Sequence, residues 1–132
     1  MTLYLVRGLP GSGKSTWAKE RFPAFIHLEA DMWFIDNEGN YNFNQDNLHI
    51  AHRWCQDTTR ILLRNGFNVI VSNTFTTLKE MKYYVDLSED LYVPLKVYSM
   101  TTMFGSVHNV PNETIKRMKQ RWQKYEGELF VS

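Results

Sequence analysis

Cysteine is nearly absent from this chain: Cys55 is the only one in 132 residues. A lone thiol excludes an internal disulfide framework and a cysteine-rich metal cluster, so Cys55 is expected to be a buried structural residue. Long apolar runs are missing too. No stretch approaches membrane-spanning length, and the first residues lead into a strand without the charged segment and apolar run of a leader. The expectation is a cytoplasmic protein with no membrane partner. Proline (four) and glycine (seven) are sparse, and there is no repeat or low-complexity segment. The net charge of +1 supplies no overall field, but it is unevenly divided: residues 114 to 124 carry five basic and no acidic side chains. The remainder carries ten basic against fourteen acidic side chains. With 43% hydrophobic and 14% aromatic residues, the chain reads as one domain over 1–132 with a core of moderate size.

Three of the seven glycines fall in one stretch, Gly8-Leu9-Pro10-Gly11-Ser12-Gly13-Lys14-Ser15-Thr16. This is the G-x-x-x-x-G-K-S pattern of a phosphate-binding loop, and its flanks suit it. Leu3 to Val6 is a short apolar strand, and Ser15 to Arg21 can open a helix. The glycines let successive N–H groups turn onto an anion, and the helix N-terminus adds its positive end. Lys14 would reach the β- and γ-phosphates of a nucleoside triphosphate, and Ser15 would offer its hydroxyl to a Mg²⁺ ion bridging them. A plain glycine-rich turn is the alternative.

Extended runs at Leu3 to Arg7, Phe25 to Ala30, Asn68 to Ser72 and Leu95 to Met100 alternate with helical patterns. That order predicts an α/β, three-layer P-loop fold with a small parallel sheet of four to five strands. The runs Tyr4-Leu5-Val6 and Val69-Ile70-Val71 are apolar at every position, as central strands covered on both faces tend to be. Helices are predicted from about Asn44 to Arg64, with Leu48, Ala51, Cys55, Thr58 and Leu62 on one face, from Leu78 to Leu87, and from Glu113 to Tyr125. Ile115, Met118, Trp122 and Tyr125 form the stripe of the last. Asp36 to Asn40 is a turn-forming cluster, expected to make a surface excursion or short hairpin.

The third apolar run ends in Ser72-Asn73-Thr74, without the Mg²⁺-positioning Asp that many hydrolysis-driven motors carry there. Carboxylates sit instead after the second run, in Leu28-Glu29-Ala30-Asp31, where residues two apart project to one side if the strand persists. Strand C-terminal ends line the ligand crevice of a parallel sheet, so Asp31 is the candidate base for an acceptor hydroxyl, its alternative being a turn cap. Glu29 reads as solvated or ion-paired. Rings at Trp33, Phe34, Tyr41 and Phe43 could stack on a nucleobase or fill the core under the excursion. His49 and His52 share a helix face, but two histidines without a third ligand do not make a structural metal site. His52 reads as a hydrogen-bonding or substrate-side group and His49 as exposed. The basic stretch could deliver a cation to a transferring phosphoryl group, track a polynucleotide backbone or simply be a solvated helix face. Arg117 and Arg121, four apart and projecting together, are the pair favoured to touch phosphate. The Gly105 to Pro111 segment, containing His108, could act as a lid.

Taken together, Arg7 to Thr16, Ala30-Asp31-Met32-Trp33-Phe34, Tyr41-Asn42-Phe43, Ala51-His52, Ser72-Asn73-Thr74 and Val107 to Pro111 resemble the polynucleotide-kinase-like P-loop family. That family includes phage-type 5′-hydroxyl polynucleotide kinases and AAA-type ATP-binding relatives. The resemblance implies ATP and Mg²⁺ as cofactors, Asp31 as the base on the acceptor hydroxyl, and a DNA or RNA 5′-OH as acceptor. Lys14 of the loop and the helix pair Arg117 and Arg121, standing in for the family's lid arginines, complete the expected catalytic set. A small hydroxyl compound as acceptor, or an ATP-binding interaction module without turnover, are the alternatives. The chain departs from the family in three places. Phe34 stands where an Asp-Asp-x-Arg pattern has its arginine, Asn73 stands at the third-strand Asp, and Thr101 and Gly105 fall where lid arginines occur.

Overall fold

The structure, a computed structural model, describes residues 1–101 and 110–132. Five strands, β1 (Leu3–Arg7), β2 (Ile26–Leu28), β3 (Val69–Asn73), β4 (Leu95–Met100) and β5 (Leu129–Val131), form one sheet in the order β2-β3-β1-β4-β5. All neighbours are parallel, with Leu3 of β1 opposite Val69 of β3 and Leu95 of β4. The helices α1 (Lys14–Arg21), α2 (Leu48–Arg64), α3 (Leu78–Asp90) and α4 (Asn112–Arg121) provide the crossovers.

Period-two side-chain alternation divides the core between the two faces of the sheet. Leu3, Leu5, Val69 and Val71 face one cluster with Ala51, Cys55 and Leu63 of α2 and Met81, Tyr84 and Leu87 of α3. Val6 and Ile70 face the other, where Ala18 of α1 joins a ring cluster of Tyr4, Trp17, Phe22, Phe25 and Tyr98. Tyr4 stacks on Phe25 with centroids 4.7 Å apart. The fully apolar central runs of the sequence are therefore strands buried on both faces, and Cys55 is a buried free thiol.

Four expectations are corrected. The second strand stops at Leu28 instead of Ala30, because Ala30–Phe34 coils into a 3-10 turn. The long helix starts at Leu48, since Asn44 uses its side chain to cap a separate 3-10 turn at Gln45–Asn47. The third helix continues beyond Leu87 to Asp90. The last helix ends at Arg121 and not at Tyr125: the Gln123 N–H donates to Thr76 O (2.8 Å) and Arg7 Nη2 donates to Gln123 O (2.7 Å), which draws this backbone out of the helix. Trp122 and Tyr125 thus leave the predicted stripe, and the chain closes the sheet edge with β5. The expected excursion is a short hairpin closed by an antiparallel Ile35–Tyr41 bridge. Asp36 Oδ1 accepts from the N–H groups of Glu38 and Asn40 at its turn.

Candidate active site

The phosphate-binding loop joins β1 to α1. Gly13, the residue before α1, has φ 80°, a left-handed conformation that glycine adopts without a Cβ penalty, and no side chain caps the helix start. The first helical N–H groups are thus left for an external acceptor. At Gly8 the constraint is space, because a Cβ there would sit 2.3 Å from Ser12 Oγ. Ser12 Oγ is buried without a hydrogen-bond partner. A bent loop with a free helix start and an orphaned buried hydroxyl fits a bound phosphate chain.

Lys14 opens α1 beneath this cradle. Burial pushes its ammonium below the ordinary lysine value, and the charges of Glu29, then of Asp31, oppose that shift. Both charges act on the loop lysine, although only Glu29 is extended, just past β2, while Asp31 sits in the 3-10 turn that replaces a continued strand. The turn is held by β3: Asn73 Oδ1 accepts from the Ala30 N–H (3.0 Å), so the residue in place of a strand-end Asp orients the segment carrying Asp31. Asp31 is exposed, and Tyr41 donates its hydroxyl to Asp31 Oδ1 at 3.3 Å. Burial and the Asp31 charge push the Tyr41 phenol up to about 12. Glu29, expected to be solvated or ion-paired, is partly buried. Burial raises its carboxyl above the usual range, with Lys14 opposing, and its Oε1 lies 3.5 Å from His27 Nε2 without forming a hydrogen bond. His27 Nε2 meets Ser72 Oγ at 2.9 Å, and burial lowers this imidazole to about 4.

Across the crevice, burial lowers His52 on α2, while the charges of Glu80, then of Asp31, oppose that shift. A surface cleft of about 490 Å³ lined by His49, His52, Arg53 and Gln56 runs along this helix. His49 is exposed. A second cleft, about 290 Å³, adjoins the loop at Leu9, Met100, Thr101 and Trp122. The two candidate arginines part ways. Arg121 Nε donates to Thr76 Oγ1 at 3.0 Å, near Glu80, whereas Arg117 is exposed and donates to Thr114 Oγ1 at 3.3 Å. The lid expectation, with Gly105 and His108, lies outside the described residues.

The residue that sequence reasoning missed is Arg7, at the C-terminal end of β1 immediately before the loop. It is fully buried. Its Nε and Nη2 donate to Phe75 O (3.0 and 2.7 Å), its Nη1 pairs with Glu128 Oε1 (3.2 Å), and its guanidinium lies 4.0 Å from the Trp122 ring centre. An arginine ending an otherwise apolar central strand was the available signal. Phe75 reaches it from a left-handed φ of 47°, an uncommon conformation for a bulky residue that turns its carbonyl onto the guanidinium.

The profile of one family, described as an AAA domain, matches residues 3–103, which contain the loop, Glu29, Asp31, Asn73 and His52. The chain belongs to the AAA domain family. It is 32% identical over 140 residues to human NEDD4-binding protein 2, covering 95% of this chain but only 8% of that protein. It is 25% identical to the uncharacterized protein PM0531 of Pasteurella multocida, across 89% of this chain and 74% of that one. Among solved structures it is similar to a chain of the Pnkp1/Rnl/Hen1 complex, with TM-score 0.69 and 18% identity over 96% of this chain and 44% of that one. A sugar kinase from Janibacter sp. HTCC2649 gives TM-score 0.68 and 15% identity over 99% and 83%. These likenesses show a P-loop kinase-like fold.

Proposed function

We propose that this AAA domain is an ATP-dependent phosphotransferase that moves the γ-phosphoryl group of ATP to an acceptor hydroxyl, with a polynucleotide 5′-OH as the acceptor. The observation that carries the reading is the convergence of Lys14 and Asp31: a loop lysine for the phosphates and an exposed carboxylate within its electrostatic reach, at the C-terminal edge of the sheet. In the transfer, Asp31 accepts the acceptor O–H proton as the oxygen bonds to the γ-phosphorus. The bond from that phosphorus to the bridging oxygen breaks, and ADP leaves with the electron pair. Lys14 and the loop from Gly8 to Thr16 hold the phosphates, and the cleft at Leu9 and Trp122 suits the nucleoside end. Ser15 would hold Mg²⁺, which when bound neutralises charge on the β- and γ-phosphates. The acceptor would approach from the His52 side, past Tyr41, whose hydroxyl donates to Asp31. Arg121, anchored on Thr76 beside Glu80, is the better-held cation, and Arg117 would have to leave Thr114 to reach phosphate.

A nucleotide-binding module without turnover is the second reading. It is favoured by the engagement of Arg121 with Thr76 instead of with the loop. Transfer of labelled γ-phosphate to a panel of 5′-OH DNA, 5′-OH RNA, nucleosides and sugars decides between them. Label on the oligonucleotides is expected. Label only on a small compound would replace the acceptor, and tight ATP binding with no labelled product would leave the binding module.

A further inference from the structure

We infer that Glu29 is the carboxylate that positions the divalent cation of the bound nucleotide, a task that the end of β3 cannot perform in this chain. The inference rests on the reading that the loop from Gly8 to Thr16 binds ATP, and it adds a second cation-holding group to Ser15.

Three observations converge on Glu29. Its position is the first: it precedes the 3-10 turn in extended conformation, at the end of β2, and its charge is the foremost one acting on Lys14. The second is its lack of a partner. Oε1 is buried and accepts no hydrogen bond, and its nearest cationic candidate, His27 Nε2 at 3.5 Å, is taken up with Ser72 Oγ at 2.9 Å. Lys14 does not close an ion pair with it among the described residues. A carboxylate oxygen withdrawn from water without a donor is costly to keep, and a cation arriving with the ligand removes that cost. The third observation is Asn73. This residue ends β3, where an acidic side chain would otherwise face the metal, but it is a neutral carboxamide whose Oδ1 is used by the Ala30 N–H. The local charge needed beside Ser15 is thus supplied by the neighbouring strand.

The chemistry of the donors suits Mg²⁺. That ion takes oxygen ligands, keeps several waters and is usually held by one or two carboxylates plus substrate phosphates, without a dedicated protein cage. No group of three or more acidic, histidine or cysteine side chains forms a cage among the described residues. One hydroxyl and one carboxylate flanking a phosphate loop match an ion that arrives with its nucleotide. Asp31 is left free to work as the base, so the two carboxylates of Leu28-Glu29-Ala30-Asp31 divide the labour.

A metal-positioning carboxylate and a Lys14-orienting one give opposite signs in a binding experiment. Without metal, Glu29 repels the phosphates, so Glu29→Gln is expected to bind ATP in EDTA at least as tightly as the parent. With Mg²⁺ the order reverses: the Mg²⁺-dependent gain in ATP affinity, measured by calorimetry, should fall by about tenfold or more, the range found when groups that orient a metal are lost. Equal weakening of ATP binding with and without Mg²⁺, or no change in the Mg²⁺-dependent gain, overturns the inference while leaving the transfer reaction untouched. The unsubstituted protein offers a check that does not depend on the variant folding. With Fe²⁺ replacing Mg²⁺ in the ATP complex, peroxide and ascorbate should cleave the backbone both at residues 14–16 and at residues 28–30. Cleavage confined to 14–16 overturns the inference.

Discussion

His27 couples the sheet edge to pH through one buried ring. Its imidazole titrates near 6.5 when unfolded but at about 4 in the fold, chiefly because of burial. Between those values the unfolded chain binds the extra proton, so the fold loses stability as pH falls. From pH 7 to pH 5 this group alone removes about 2 kcal/mol. Glu29 works in the opposite sense, since its raised carboxyl takes up a proton in the fold first. Replacing His27 isolates the first effect. In Mg²⁺-free buffer, urea midpoints of His27→Gln at pH 7 and pH 5 should differ less than those of the parent, and equal differences would show that His27 is not buried neutral. Sequence alone supplied the candidates Lys14, Ser15 and Asp31, because motif spacing and strand ends are local features. It did not show that Glu29 Oε1 is buried without a partner or that Tyr41 donates to Asp31. Those facts depend on a 3-10 turn and a hairpin folding back over one another.

At the scale of elements, Arg7 fastens the start of the loop to two segments remote in sequence. One is the Phe75–Thr76 connection between β3 and α3, and the other is the C-terminal stretch containing Gln123 and Glu128. Burial lowers the Arg7 guanidinium and the Glu128 charge opposes this, so the pair holds together as a buried ion pair. Arg7→Met leaves Glu128, whose side chain is 4% exposed, without its partner. A loss of about 3–5 kcal/mol is expected from urea unfolding. The double variant with Glu128→Leu should recover much of that loss, and additive losses would show that the pair is not coupled. The start of α3 carries a reciprocal cap, with Thr77 Oγ1 accepting from the Glu80 N–H and Glu80 accepting from the Thr77 N–H. Thr77→Ala should cost about 1 kcal/mol, and an unchanged urea midpoint would count against the cap. These long-range ties also explain which elements were legible. The buried strands and the long amphipathic helix carry their own periodicity. The end of α4 and the existence of β5 do not, because the Arg7 hydrogen bond to Gln123 and the pairing with β4 determine them.

On the scale of the whole molecule, one parallel sheet brings the loop, the Asp31 turn and the α2 face to a common edge, and the alternating pattern of the sequence anticipated that architecture. The chain spans 8% of NEDD4-binding protein 2 and 74% of PM0531, so the activity proposed here is that of this domain. No described helix is long and apolar enough to cross a membrane. If the acceptor is a polynucleotide, the basic side chains of α4, Arg117 and Arg121 among them, are the candidates for contacts to its backbone, and such contacts weaken with salt. KM for 5′-OH oligonucleotides should then rise steeply between 50 and 200 mM salt, in the range over which phosphate contacts weaken. KM for ATP should change far less, and parallel changes in the two would remove the case for backbone contacts.

The division of labour between the loop and Asp31 is tested most directly by Asp31→Asn. Single-turnover transfer of γ-phosphate from Mg-ATP to a saturating 5′-OH oligonucleotide should fall by about 10²–10⁴-fold, the usual contribution of a positioned base, while the Kd for Mg-ATP stays within about twofold. A variant that transfers phosphate at the parental rate would contradict the role of Asp31. One that loses ATP along with transfer would place this carboxylate in nucleotide binding and not in the chemistry.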